Sequence, residues 1–234
     1  MKYKAIIFDV TDTLVDYHPN LATIYGDKVR SLGLEVTEKT AREMNKAIYW
    51  AYFQQVLKEQ NGAPYASSEE ISMLWNKAAL SCVEVKNEMR ETYLHLLSCM
   101  PKVEQEMRVI PGVIEVLEVL GKKYHLAIVS NHHTWLVDRL RELKLYDYFE
   151  SVVISEIVGI EKPDTRIMEI ALHNLNLTPA DCLYVGDHPL DVLCSKKAGM
   201  DCAWIVGDWE ELDDSIPFKE DYRIKNVSEL KDLL

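Results

Sequence analysis

No pair of cysteines at C-x-x-C spacing occurs in this 234-residue chain, and the cysteine count is odd: Cys82, Cys99, Cys182, Cys194 and Cys202. This fits neither a disulfide framework nor a zinc-ligand pattern, and points to reduced thiols in the cytoplasm. Long apolar runs are missing too. The opening "MKYKAIIFD" reaches an acid far short of a signal h-region or a membrane span, so no membrane association is expected. Nor do basic residues cluster. With 26 Lys and Arg against 38 Asp and Glu, the formal net charge of −12 repels phosphate backbones and anionic lipid, which argues against nucleic acid as a partner. Internal repeats and low-complexity segments are absent as well. What is present is 48% hydrophobic and 27% charged residues, ordinary globular values, in a length that suits one α/β domain with an insertion or two small domains.

Five short apolar runs stand out: Ala5 to Val10, Leu126 to Ser130, Val152 to Ser155, Leu183 to Val185 and Ala203 to Val206. None alternates polar with apolar residues, so each reads as a strand buried on both faces, and the amphipathic stretches between most of them read as the crossover helices of a parallel sheet. Val113, Val116, Leu117 and Leu120 recur at helical spacing, as do Leu136, Leu140 and Leu143. The stretch from about His18 to Met100 differs. It predicts helices over Ala22 to Leu32, Thr37 to Gln60, a run from Ser68, and Lys86 to Met100, and so reads as an inserted helical domain. Tyr49, Trp50, Tyr52 and Phe53 are expected to pack that bundle. Asp208 to Asp221 reads as a solvated acidic loop ahead of a short final helix. The expected boundaries are 1–17 and 101–234 for the core domain and 18–100 for the insertion.

In an open parallel sheet, ligands bind beyond the carboxyl ends of the strands. Those ends deliver Asp9, then Ser130 and Asn131, then Lys162 in "EKP", then Asp187 and Asp191 in "YVGDHPLDV". Three carboxylates gathered within about 4–6 Å repel by several kcal/mol per pair and call for a compensating cation. Hard oxygen donors suit Mg²⁺. Lys162 adds positive charge for a nucleophile and a substrate oxyanion, and Ser130 can hold a phosphate oxygen.

With "FDVTDTL", Ser130, Lys162 and "VGDHPLDV" in this order, the chain resembles the haloacid dehalogenase (HAD) superfamily over nearly its whole length. The resemblance implies a Rossmann-like α/β core with a parallel sheet and an inserted helical cap. It also implies a Mg²⁺-dependent phosphatase acting on a small phosphorylated metabolite, as a monomer or homodimer. Asp9 would form a phosphoaspartate, and Lys162 and Ser130 would assist. Thr13, Asn131, Ser130 and Lys162 would contact substrate. Asp9, Asp187, Asp191 and the Thr11 carbonyl would hold the metal. "DVTDTL" is also similar to the HDHD3-like branch.

Family phosphatases usually carry a general acid two residues after the nucleophile, where this chain has Thr11. General acid–base help is worth about 10²–10⁴ in rate, so its loss implies a slow hydrolase. Asp12 reads as a turn residue, His188 as a solvent-facing loop residue, and His132 with His133 as the approach to a helix. Two other chemistries compete: a 2-haloacid dehalogenase, and a phosphonate hydrolase needing a cap lysine such as Lys28, Lys46 or Lys58. A non-catalytic phosphate-binding module is a third alternative.

Overall fold

The computed structural model describes residues 2–207 and 217–234. The chain divides into two compact units, residues 1–16 with 107–234, and residues 17–106.

In the first unit, six strands among the described residues form one parallel sheet in the order β5-β4-β1-β6-β7-β8. They are β1 (Ala5–Phe8), β4 (His125–Ser130), β5 (Ser151–Ile154), β6 (Cys182–Gly186), β7 (Asp201–Ile205) and β8 (Tyr222–Ile224). The five apolar runs became strands because both faces of the sheet are covered. Ala5, Ile7, Ala127, Val129, Val153, Cys182, Tyr184, Cys202 and Trp204 share one buried cluster with side chains of α8 (Arg166–Leu175) and α9 (Pro189–Lys197). The alternate residues Ile6, Phe8, Leu126, Ile128, Leu183 and Val185 are buried as well. Period-two geometry sends alternate side chains to opposite faces, so a strand buried on both sides needs apolar residues at every position. The helix α5 (Val113–Leu120) buries Val113, Val116, Leu117 and Leu120, α6 (Leu136–Glu142) buries Leu136 and Leu140, and the one-turn α7 (Ser155–Val158) follows β5.

The strand β1 sits centrally, with β4 on one side and β6 on the other. The connection from β1 thus leads one way across the sheet and that from β5 (through α8) the other. This leaves a crevice at the carboxyl end of β1, where open α/β sheets place ligands. In register, Phe8 pairs with Ile128 and with Val185, so Asp9, Ser130 and Asp187 all fall just past the paired positions.

Short elements escape the sequence reading. The strands β2 (Val15–His18) and β3 (Glu106–Val109) form a two-stranded sheet, and β8 is three residues long. Their sequences VDYH, EMRV and YRI mix charged with apolar residues and carry no buried-strand signature. Residues 208–216 of the expected acidic loop lie outside the described residues. The rest of that loop leads into β8, and the chain ends in α10 (Leu230–Leu233).

The second unit contains α1 (Leu21–Ser31), α2 (Glu38–Gln60), α3 (Ser68–Ser81) and α4 (Asn87–Cys99). Three of these helices begin on side-chain caps: Asn20 accepts from Thr23 N–H, Thr37 from Thr40 N–H, and Ser67 forms a capping box with Glu70. Met44, Ile48, Leu80 and Leu97 lie in its core. Trp50 stacks on Phe53 at 5.1 Å, and Phe53 is buried, so at least part of the aromatic group packs as expected.

Truncating a central-strand side chain should be costly. Ile7→Ala is expected to destabilise by about 2–5 kcal/mol, and Ile114→Ala, at a 39%-exposed site on α5, by less than about 0.5 kcal/mol. Urea unfolding followed by circular dichroism measures both.

Candidate active site

Asp9 directly follows β1, with its N–H donated to the Val185 carbonyl at 2.9 Å, and its side chain is nearly buried. The chain then turns tightly. Val10 O accepts the N–H groups of Leu14 at 2.8 Å and Val15 at 3.0 Å, and Asp12 adopts a left-handed backbone with φ of 55°. Aspartate tolerates that region better than most residues, which bears out its reading as a turn residue. Thr11 is half-buried and bridges to Val15. Thr13 is buried and donates its hydroxyl to Asp187 Oδ1 at 3.2 Å, tying the first loop to the fourth.

Lys162 is the hub. Its Nζ donates to Asp9 Oδ1 at 2.8 Å, to Asp191 Oδ1 at 2.6 Å and to the Tyr184 hydroxyl at 3.1 Å. All of these groups are buried. The lysine backbone is held by Asn131, whose Oδ1 accepts the Lys162 N–H at 2.7 Å and whose Nδ2 donates to the Lys162 carbonyl at 2.9 Å. Asn131 therefore spends its amide on orienting Lys162. Ser130 is buried at the end of β4, and its hydroxyl favours the charged form of the Asp9 carboxylate.

Asp191 belongs to a helix start as well as to the site. It is the third residue of α9, and its Oδ2 accepts the His188 N–H at 2.9 Å in a capping box, where the positive end of the helix favours a carboxylate. His188 is the cap residue itself: its Nδ1 accepts the Leu190 N–H at 3.1 Å. That corrects the expectation of a solvent-facing loop residue, because the first turn of α9 needs an acceptor. Gly186 lies against this carboxylate, and a Cβ added there would overlap Asp191. Asp187 is half-buried, and its carbonyl accepts the Trp204 indole N–H at 2.8 Å.

His132 and His133 precede α6, as expected of a helix approach. His133 Nδ1 lies 3.2 Å from Glu156, and Glu156 accepts the Thr134 N–H at 2.6 Å.

Carboxylate oxygens of Asp9, Asp187 and Asp191 lie within 4.8 Å of one another. Three anions balanced by one ammonium leave a formal charge of −2, and the donors are all hard oxygens, which fits a divalent ion such as Mg²⁺. Asp191 already has both oxygens engaged, so Asp9 and Asp187 are the more open donors. Burial drives the Asp9 pKa up, with Lys162 opposing and Asp191 reinforcing. Burial also lifts Asp187 well above the usual carboxylate range, with the charges of Asp12, Asp191 and Asp9 adding to it. For Lys162, burial disfavours the ammonium, but Asp191 and Asp9 together outweigh it and raise its pKa.

Among the expected site residues, the structure gathers Asp9, Ser130, Lys162, Asp187 and Asp191, with Thr13 bonded to Asp187. Tyr184 and Trp204 were missed, since each lies in an apolar strand run and reads as core, and Gly186, just past such a run, was not singled out within its motif. A buried phenol or indole needs a partner for its polar atom, and that was the available signal.

Gly186→Ala is expected to displace the Asp191 carboxylate and to lower turnover by at least tenfold, checked by steady-state kinetics beside a thermal melt of the same preparation.

The model of haloacid dehalogenase-like hydrolases matches residues 6–205. Glyceraldehyde 3-phosphate phosphatase of Pyrococcus furiosus is 32% identical over 136 residues, which are 55% of this chain and 55% of that protein, so the match spans about half of each. Haloacid dehalogenase-like hydrolase domain-containing protein 3 of Mus musculus is 29% identical over 234 residues, covering 93% of this chain and 88% of that one. Phosphoglycolate phosphatase of Aquifex aeolicus is 28% identical over 232 residues, covering 99% and 96%. The magnesium-bound HAD-hydrolase YfnB of Bacillus subtilis shares the fold, with a TM-score of 0.67 at 18% identity over 100% of this chain and 99% of that one. From the first strand to the end of β7, matched in sequence and in fold, the chain belongs to the haloacid dehalogenase-like hydrolase family, in its HDHD3-like branch.

Proposed function

We propose that the protein is a Mg²⁺-dependent phosphatase of a small phosphorylated metabolite, with Asp9 as nucleophile. The observation that carries this reading is the buried Asp9 carboxylate held at 2.8 Å by Lys162, within reach of two further carboxylates. Two relatives bearing phosphatase names support it.

One oxygen of Asp9 attacks phosphorus, the bond from phosphorus to the ester oxygen breaks, and the alcohol departs with a proton from solvent. Water then attacks phosphorus of the acyl phosphate, giving up a proton to solvent; the bond to Asp9 breaks, the carboxylate is regenerated and inorganic phosphate is released. Lys162 holds Asp9 in place through both steps, and Ser130 offers a hydroxyl to the transferred group. Asp9, Asp187 and the Thr11 carbonyl would hold Mg²⁺, with Asp191 closing the acidic cluster beside Lys162. The ion supplies positive charge against the phosphate oxygens. Asn131, which we take from substrate binding to support of Lys162, keeps the third motif in place. Thr11 brings no carboxyl for proton transfer, so both steps are slow. Residues 17–106 are assigned to substrate selection as a cap. The acidic trio weighs against the dehalogenase reading, whose attack on carbon requires no divalent ion.

With p-nitrophenyl phosphate as substrate, Asp9→Asn and chelation by EDTA are each expected to abolish phosphate release. Turnover that survived either change would overturn the mechanism. Thr11→Asp is expected to raise kcat, up to about 10²-fold, and to shorten the lifetime of a phosphoenzyme trapped by acid quench. Mg²⁺ is expected to raise the melting temperature of the native protein by a few degrees, at about 2–4 °C per kcal/mol, and to leave Asp187→Asn unmoved in differential scanning fluorimetry.

A further inference from the structure

A lysine ammonium has three N–H bonds to give. In this site all three are taken, by Asp9 Oδ1 at 2.8 Å, Asp191 Oδ1 at 2.6 Å and the Tyr184 phenol oxygen at 3.1 Å. Two of the acceptors are charged and form the strong contacts. The third is neutral, and it takes the one N–H that the two carboxylates leave, so that the ammonium is held at all three positions. The phenol is itself anchored. The Tyr184 hydroxyl has two acceptors for its one proton, the Val129 carbonyl at 2.9 Å, on the strand that ends in Ser130, and Asp191 Oδ1 at 3.1 Å. Its ring is fully buried in the cluster formed by β1, β4, β6, α8 and α9. The tyrosine thereby joins β4, β6 and the Lys162 loop at one atom.

We propose that Tyr184 is a positioning residue, whose phenol oxygen orients the Lys162 ammonium so that one N–H is held on Asp9 and the nucleophile keeps a single orientation. This rests on the phosphatase reading for its catalytic consequence and on the geometry alone for its structural one. With its three hydrogens committed, Lys162 acts by fixing Asp9. Misplacing a reacting group by about 1 Å costs on the order of 10²-fold in rate, and a looser ammonium permits a smaller displacement than that.

Tyr184→Phe keeps the ring and removes only the hydroxyl. Kinetics on p-nitrophenyl phosphate with Mg²⁺ are read beside the lysine ammonium proton–nitrogen NMR spectrum at low temperature, where the Lys162 resonance is identified by its loss in Lys162→Ala. The expected result is a fall in kcat of about tenfold with KM within twofold, together with broadening of the Lys162 ammonium signal by faster proton exchange. Replacement of Tyr184 by 3,5-difluorotyrosine keeps the hydroxyl and weakens its oxygen as an acceptor. It is expected to give the same changes in smaller measure, and it serves if the phenylalanine variant does not fold. A Tyr184→Phe protein with kcat within twofold of native and an unchanged ammonium signal would overturn the proposal while leaving the phosphatase intact. Native protein that fails to hydrolyse any phosphate ester, with an ammonium signal that still responds to Tyr184→Phe, would overturn the phosphatase reading and uphold the positioning role.

Discussion

One buried ammonium organises this molecule's chemistry. Lys162 is buried between the carboxylates of Asp9 and Asp191, at 2.8 and 2.6 Å. Burying charges costs several kcal/mol per ion, recovered only through short, well-aligned contacts. The surroundings supply that alignment: Asn131 clamps the lysine backbone, the α9 cap steadies Asp191, and Tyr184 takes the last proton. Formal charges still sum to −2 when Asp187 is counted, and that imbalance is the physical basis for a cation at the rim.

Sheet topology explains why such distant residues meet. Strands run parallel, so their carboxyl ends all lie at one edge, and β1 lies centrally, with its neighbours belonging to opposite halves of the sheet. A residue placed just after β1 is therefore flanked by the ends of β4 and β6. No long-range design beyond the order of the strands is needed to bring Asp9, Ser130 and Asp187 to one place. The third motif is different, because Lys162 lies in a loop rather than on a strand. It requires the Asn131 clamp to be brought into line.

Much of this was legible from residue order. Buried parallel strands announce themselves by unbroken apolar runs, and their final polar residues, Asp9, Ser130 and Asp187, had no reason to be there other than function. Partners of side chains were harder to read. Asn131 next to Ser130 invites a substrate role, and only the path of the later loop shows that its amide meets the Lys162 backbone. Tyr184 and Trp204 sit on the same buried face as plain core residues, so their apolar rings concealed the polar tips that reach the site. His188 was misjudged for a related reason, since an imidazole that caps a helix cannot be told from a loop residue until the helix start is located. The strands β2, β3 and β8 are three or four residues long and hold charged side chains, which leaves too little pattern to detect.

Asp191 carries one further implication. Its two oxygens face different tasks, Oδ2 closing the first turn of α9 and Oδ1 receiving Lys162. Where the helix begins and where the lysine rests are thus set by a single side chain, and the two cannot drift apart independently. A change that lengthened, shortened or rotated the start of this helix would move the ammonium with it.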